Sequence, residues 1–152
     1  MKRKAHRLPD FGVEQPNIEE RSLRDLPPYL ARLCDKQLLT ADEERELFRR
    51  MNYLKFRAAQ LREEIDVDRP RSQLLEEAEQ CLTEAAAVRA HIVQSNARLV
   101  VAIVKKFVSP QHSFDELLSD GMLTLLNAAE KFDYDRGFRF STYATRAIRR
   151  NL

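Results

Sequence analysis

The run FDYDRGFRFSTYATRAIRR, residues 132–150, concentrates the side chains of this 152-residue sequence that can do chemistry. Between Tyr134 and Leu152 stand Arg136, Arg139, Arg146, Arg149 and Arg150 against one acid, Asp135. Threaded among them are Tyr134, Phe138, Phe140 and Tyr143. Aromatic faces beside guanidinium groups suit single-stranded nucleic acid: unstacked bases lie on the rings, at about 1–3 kcal/mol each, while arginines hold phosphates. The competing use of the same residues is structural, with rings closing a helical core and arginines solvating its outside. Phe138 and Phe140 flank Arg139 beside Gly137, outside any helical period. Burying both rings would draw Arg139 inward without a partner, which is costly. The pattern therefore favours nucleic acid over filling.

Other chemistries lack their residues. There is no phosphate-cradling glycine loop and no nucleophile paired with a base, so no enzyme is expected. His6, His91 and His112 are scattered and show no metal-ligand spacing, so neither metal nor other cofactor is expected. Cys34 and Cys81 read as two reduced thiols. The start, MKRKAHRLPDFG, has cations with no apolar stretch behind them, and the most apolar run, LVVAIV at 99–104, is too short to cross a bilayer. A soluble cytoplasmic protein without membrane contact is expected. The formal net charge is only +2, so attraction to a polyanion must be local.

Positioning these residues falls to helices. Three glycines in the whole chain and a charged fraction of 33% favour them over strands. Residues 1–24 read as a mobile, charged leader. From Tyr29, YLARLCDKQLL predicts a short amphipathic helix with Leu30, Leu33 and Cys34 inward. Thr40 and Glu43 then form a capping box. The next helix carries a stripe of Leu47, Met51, Leu54, Ala58, Leu61 and Ile65, and DVDRPRS breaks it. One long helix, straight or bent, is predicted from Ser72 to Val108, with Leu75, Ala78, Leu82 and Ala85 on one face and glutamates elsewhere. Its second half, ARLVVAIVKKFV, is apolar almost all round and belongs in the middle of a bundle. A buried strand would have no partner to pair with.

Ser113 and Glu116 form a second capping box, opening a helix to about Lys131 with Leu117, Leu118, Leu125 and Phe132 inward. Gly121 within it implies close approach by another helix. Ser141 is the expected cap of a last helix, placing Thr142, Arg146, Arg149 and Arg150 on one side. Asp115, Glu116, Asp120, Glu130 and Asp133 make the preceding helix and turn acidic, so charge is segregated over some forty residues. The fold class is all-α: a helical bundle with a long central helix and no sheet.

SNARLVVAIVKKFV, FDELLSDGMLTLLNAAEKFDYDRGFRFSTYAT and the following IRR resemble, in order and spacing, the central helical domain of bacterial RNA polymerase sigma factors of the primary type. YLARLCDKQLLTADEERELFRRM resembles the preceding segment of the same family. The resemblance runs from about Asp25 to Leu152 and is weakest from Lys55 to Arg89. It implies upstream helices over 25–54, a variable helical stretch over 55–93, polymerase-binding helices over 94–133, and a promoter-melting, minus-ten-recognition segment over 134–152 that is truncated at its end.

The family's mechanism supplies roles by position. The helix from Phe114 to Lys131 would dock on the clamp helices of the largest subunit of core RNA polymerase through Glu116, Leu117, Ser119, Asp120, Met122 and Leu126. The segment from Phe138 would open promoter DNA. Phe140 and Tyr143 would stack a base flipped from the non-template strand, and Phe138 would support the opened strand. Arg139 would contact phosphate and Thr142 would add a polar contact. Arg149 and Arg150 belong to the same DNA-facing set, and Tyr29 would lie near DNA downstream. No bond is cut: binding the single strand offsets unpairing.

Where the family usually has paired tryptophans after STYAT, this chain has Arg146 and Ala147, and Arg150 replaces the polar reader of the duplex end. Arg146 would exchange an aromatic wedge for a phosphate or base-edge contact. The chain stops partway through the recognition helix, as a fragment or a short form. The alternative function is a helical module that binds polymerase or an anti-sigma factor without directing initiation. A scaffold whose similar segments only pack would have no use for the aromatic–arginine run.

Overall fold

The computed structural model describes residues 27–66 and 72–152. The leader at 1–24 and most of the DVDRPRS break lie outside the described residues. Six α-helices account for nearly all regular structure there. They are α1 (Pro28–Leu33), α2 (Ala41–Glu63), α3 (Ser72–Ser95), α4 (Ala97–Val104), α5 (Phe114–Lys131) and α6 (Phe140–Asn151). A 3₁₀ turn, Tyr134–Arg136, joins the last two. Only an isolated bridge between Ser109 and His112 departs from helix and turn among the described residues, so the class is all-α as expected.

Local signals start α2 and α5 where the sequence placed them. Thr40 Oγ1 accepts from the Glu43 amide while Glu43 accepts from the Thr40 amide, and Ser113 and Glu116 repeat the exchange. Each box satisfies two amides that the first helical turn leaves without partners.

α4 is the centre. Ala97, Leu99, Val100, Val101, Ile103 and Val104 are all buried, which is why a helix with no polar face forms there. Around it close Phe48, Met51 and Leu54 from α2, Val88 and Ile92 from α3, Leu117 and Leu125 from α5, and Phe140, Ala144 and Ile148 from α6. On its other side Val101 meets Leu30 and Cys34, the inner face of α1. Gly121 is buried because a Cβ there would stand 2.6 Å from Val100 Cγ1, so α5 and α4 approach as the glycine implied. The expected boundaries at 54/55 and 93/94 fall inside α2 and α3, whose contact with each other is the most extensive between any two helices.

Four expectations need correction. The helix predicted over Ser72–Val108 is two helices. Asn96 donates from Nδ2 to the Ile92 carbonyl at 2.8 Å with its backbone at φ −107°, ψ 3°, and α4 ends at Val104. An asparagine amide competing for a carbonyl of the preceding turn interrupts a helix in this way. Leu75 and Leu82 are exposed, since α3 buries Ala78, Ala85, Val88 and Ile92, a row shifted in phase. On α2 the buried stripe includes Phe48 and Glu44, while Ile65 lies beyond the helix end. Ser141 caps nothing: α6 begins at Phe140, with Arg139 at the N-cap position, two residues earlier than expected.

Candidate nucleic-acid interface

The start of α6 is built by a residue far away in sequence. Arg139 occupies the N-cap position and supplies no side-chain cap. The cap comes from Glu44 on α2, whose Oε1 accepts the Phe140 amide at 2.8 Å. Arg139 folds onto the same carboxylate, Nε to Oε1 at 3.3 Å and Nη2 to Oε2 at 3.4 Å, and also donates to the Leu39 carbonyl at 2.9 Å. Glu44 is only 5% exposed. A carboxylate so placed needs a cation, and the positive end of a helix favours it further.

Sequence reasoning missed Glu44. The available signal was its position, four residues before Phe48 and seven before Met51, on the buried stripe of α2. The same contact corrects two site assignments. Arg139 does not present its guanidinium as a free phosphate contact; it has the inward partner that the spacing argument denied it. Phe140 is 0% exposed, with its ring centroid 5.1 Å from Phe48 and 5.3 Å from Phe132. It is the floor of the site, and no base reaches its face.

Two rings stand open above that floor. Phe138 is 58% exposed, following Gly137, whose φ of 75° turns the chain outward in a conformation glycine adopts without strain. Tyr143 is 38% exposed and rests on Phe132 at 5.6 Å. Between Phe138 and the first turns of α2 runs a depression with Arg45, Phe48, Tyr134 and Phe138 on its walls.

Along α6 the buried row is Phe140, Ala144 and Ile148, with Thr145 donating its hydroxyl to the Ser141 carbonyl at 2.7 Å. Thr142 is half-buried. The opposite side carries Arg146, Arg149 and Arg150, all exposed and without ion-pair partners among the described residues. Tyr29 is exposed on α1 and donates to Asp115 Oδ1 at 3.2 Å, tying α1 to the first turn of α5. Partial desolvation and that carboxylate both raise the phenol above its ordinary range.

The second surface is the outer side of α5. Ser119 and Asp120 are exposed, Met122 and Leu126 half-buried against the core, and Glu116 is exposed while serving the capping box. Hydrogen bonds from Ser113 hold the Glu116 carboxyl below the usual range. Leu117 is buried against the core, which corrects its assignment as a contact residue. Leu123 is exposed between the others and was missed, although it lies four residues after Ser119 and three after Asp120.

Residues 92–152 match the family described as Sigma-70 region 2. The chain is 42% identical over 135 residues to the RNA polymerase sigma factor SigA of Nostoc sp., a match covering 82% of this chain and 34% of that protein. It is 39% identical over 144 residues to SigA1 of Synechococcus elongatus, with the same coverage of both chains. Over 61 residues it is 54% identical to SigA of Synechocystis sp., covering 40% of this chain and 14% of the relative. The chain spans about a third of the length of the first two relatives.

Proposed function

We propose, from the premise that residues 92–152 are a sigma-70 region 2 domain, that this protein is a transcription initiation factor, acting in the cytoplasm as part of an RNA polymerase holoenzyme. It binds core RNA polymerase through the outer face of α5 and holds the non-template single strand of the minus-ten promoter element on α6 and the segment before it. The observation that carries this reading is the pairing of two open rings, Phe138 and Tyr143, with three unpartnered arginines along one side of α6. Bases leaving a duplex lose stacking, and the rings return it at about 1–3 kcal/mol each. The arginines meet the phosphates, whose released counterions add a salt-dependent gain. Phe140, Phe48 and Phe132 fix the height of the rings, and Glu44 fixes where α6 begins.

On α5 the reading places Ser119, Asp120 and Leu123 against a basic-rimmed clamp helix, an apolar centre with an acidic edge. Met122 and Leu126 contribute their half-exposed sides.

A second reading has a specific observation in its favour. With Phe140 in the core and Arg139 engaged by Glu44, two expected DNA contacts are unavailable. A module that docks on polymerase, or on an anti-sigma factor, through α5 alone would need neither.

One experiment separates them. The protein is mixed with core polymerase and a single-stranded minus-ten non-template oligonucleotide, and Phe138→Ala and Tyr143→Ala are compared with wild type. Phe140→Ala is unsuitable because it would empty part of the core. Each exposed-ring variant is expected to weaken oligonucleotide binding about tenfold while leaving polymerase binding unchanged. Binding insensitive to both changes removes the melting function and leaves the docking module.

A further inference from the structure

We infer that the outward face of α2, the row Arg45, Arg49, Tyr53 and Phe56, is a second track for single-stranded nucleic acid, continuous with the Phe138 platform. Tyr53 is 64% exposed and Phe56 60%, more open than either ring of the platform. They follow Arg45 and Arg49 at steps of four, four and three, on the side of the helix opposite Phe48, Met51, Leu54 and Ala58. Over residues 45–62 the helix has six cations, Arg45, Arg49, Arg50, Lys55, Arg57 and Arg62, against one acid, Glu46. Lys55 is committed to Glu130 and Arg50 leans on Glu84, but Arg45 and Arg57 have no ion-pair partner among the described residues. Arg49 is held by Glu46 in an exposed pair that a phosphate can displace, since such pairs contribute little.

Continuity with the first site comes from Arg45, which shares the walls of one depression with Phe138 and Tyr134. A strand leaving Phe138 therefore meets a cation, then a second cation, then two rings. From Arg45 to Phe56 the helix rises about 16 Å, enough for about five stacked nucleotides. A solvated helix face would carry the cations, but has no use for two adjacent open aromatics among them. The inference rests on the nucleic-acid reading of Phe138 and Tyr143.

The test is anisotropy of labelled oligothymidylates of about six and about sixteen nucleotides with the full chain, at about 50 mM salt. Extra binding registers alone give the longer strand about a tenfold advantage. Stacking on Tyr53 and Phe56 is expected to raise this to about a thousandfold, at about tenfold for each ring. The variant carrying Tyr53→Ala and Phe56→Ala together should fall back to the statistical tenfold with an unchanged thermal melt, because both rings are exposed. Arg45→Gln should make the longer strand's affinity less steeply dependent on salt. A wild-type advantage no greater than the statistical one, an advantage that survives the double variant, or no saturable binding of the longer strand overturns the track. So does loss of the open rings changing only self-association or a protein contact. Phe138→Ala with Tyr143→Ala, made in the Tyr53→Ala and Phe56→Ala background so that a six-nucleotide strand cannot stack on the α2 row instead, reads the first site separately: six-nucleotide binding insensitive to that pair removes the platform, whatever the longer strand does.

Discussion

Glu44 and Phe140 lie 96 residues apart in sequence, and the Phe140 amide donates to Glu44 Oε1 at 2.8 Å. Through this bond the second helix of the bundle fixes the first residue of the last one. Removing the carboxylate leaves the Phe140 amide without an acceptor and the Arg139 guanidinium without its counter-charge, holding only the Leu39 carbonyl. Glu44→Ala is expected to lower stability by about 3 kcal/mol, the lower end of the range for a broken buried pair, because Arg139 retains some solvent. Glu44→Gln keeps an acceptor for the amide and loses the charge, costing about 1–2 kcal/mol. Urea unfolding with an unchanged slope and a shifted midpoint measures both. Equal losses for the two variants would show that the charge, not the cap, is what matters.

The same pair shows how much was legible in advance. The boxes Thr40–Glu43 and Ser113–Glu116 are complete within four residues, and the sequence displayed them whole. Glu44 sits beside Glu43 and has the opposite fate, because its partner comes from the other end of the chain. With that partner hidden, Arg139 looked stranded, and Phe140 looked too awkward to bury. On α3 the exposed Leu75 and Leu82 drew attention, while Ala78, Ala85 and Val88 make the close contact. Small side chains let helices approach, and hydrophobicity alone ranks them too low.

Gly121 sets the distance between α4 and α5. A methyl group there would lie 2.6 Å from Val100 Cγ1 and 3.4 Å from Val104 Cγ2, both on fully buried side chains. Alanine gains about 1 kcal/mol of helix propensity over glycine. Overpacking a core that cannot retreat costs about 1–3 kcal/mol. Val100 is enclosed, so the second effect is the larger, and Gly121→Ala is expected to be net destabilising by about 1 kcal/mol. A thermal melt at or above the wild-type midpoint would mean that α5 shifts freely away from α4.

Glu130 joins three helices, accepting from Lys55 of α2 and from Arg89 of α3 at 2.7 Å. Partial burial pushes its carboxyl up, but hydrogen bonds and charge from Lys55 and Arg89 more than offset this, and its pKa lies below the ordinary value. A depressed carboxylate stabilises the fold above its unfolded pKa of about 4.3, and that contribution is lost as pH falls through the folded value. The three side chains are about one-third exposed, which keeps the effect modest. Glu130→Gln should lower the melting temperature by about 3 °C at neutral pH. The difference should begin to narrow as the pH falls below about 4.3 and vanish only below the lowered folded value. Melts across that range check it, and a constant gap down to low pH would mean that the carboxylate's charge is not responsible.

Arg146 stands on the open side of α6, where the sigma factors this chain resembles usually carry the first of two tryptophans. A wedge works by contact area and is nearly indifferent to salt, whereas a guanidinium on a phosphate releases a counterion. For single strands the logarithm of affinity falls with the logarithm of salt by about 0.7 for each phosphate neutralised. Arg146 has no acid beside it to compete for that role among the described residues. Arg146→Ala is therefore expected to reduce the salt slope of non-template oligonucleotide binding, measured with core polymerase, by about 0.7. Arg146→Trp should reduce the slope equally while keeping much of the affinity at high salt, since the ring replaces charge with stacking. A slope identical in wild type and both variants would place Arg146 off the strand and leave Arg149 and Arg150 to hold the phosphates.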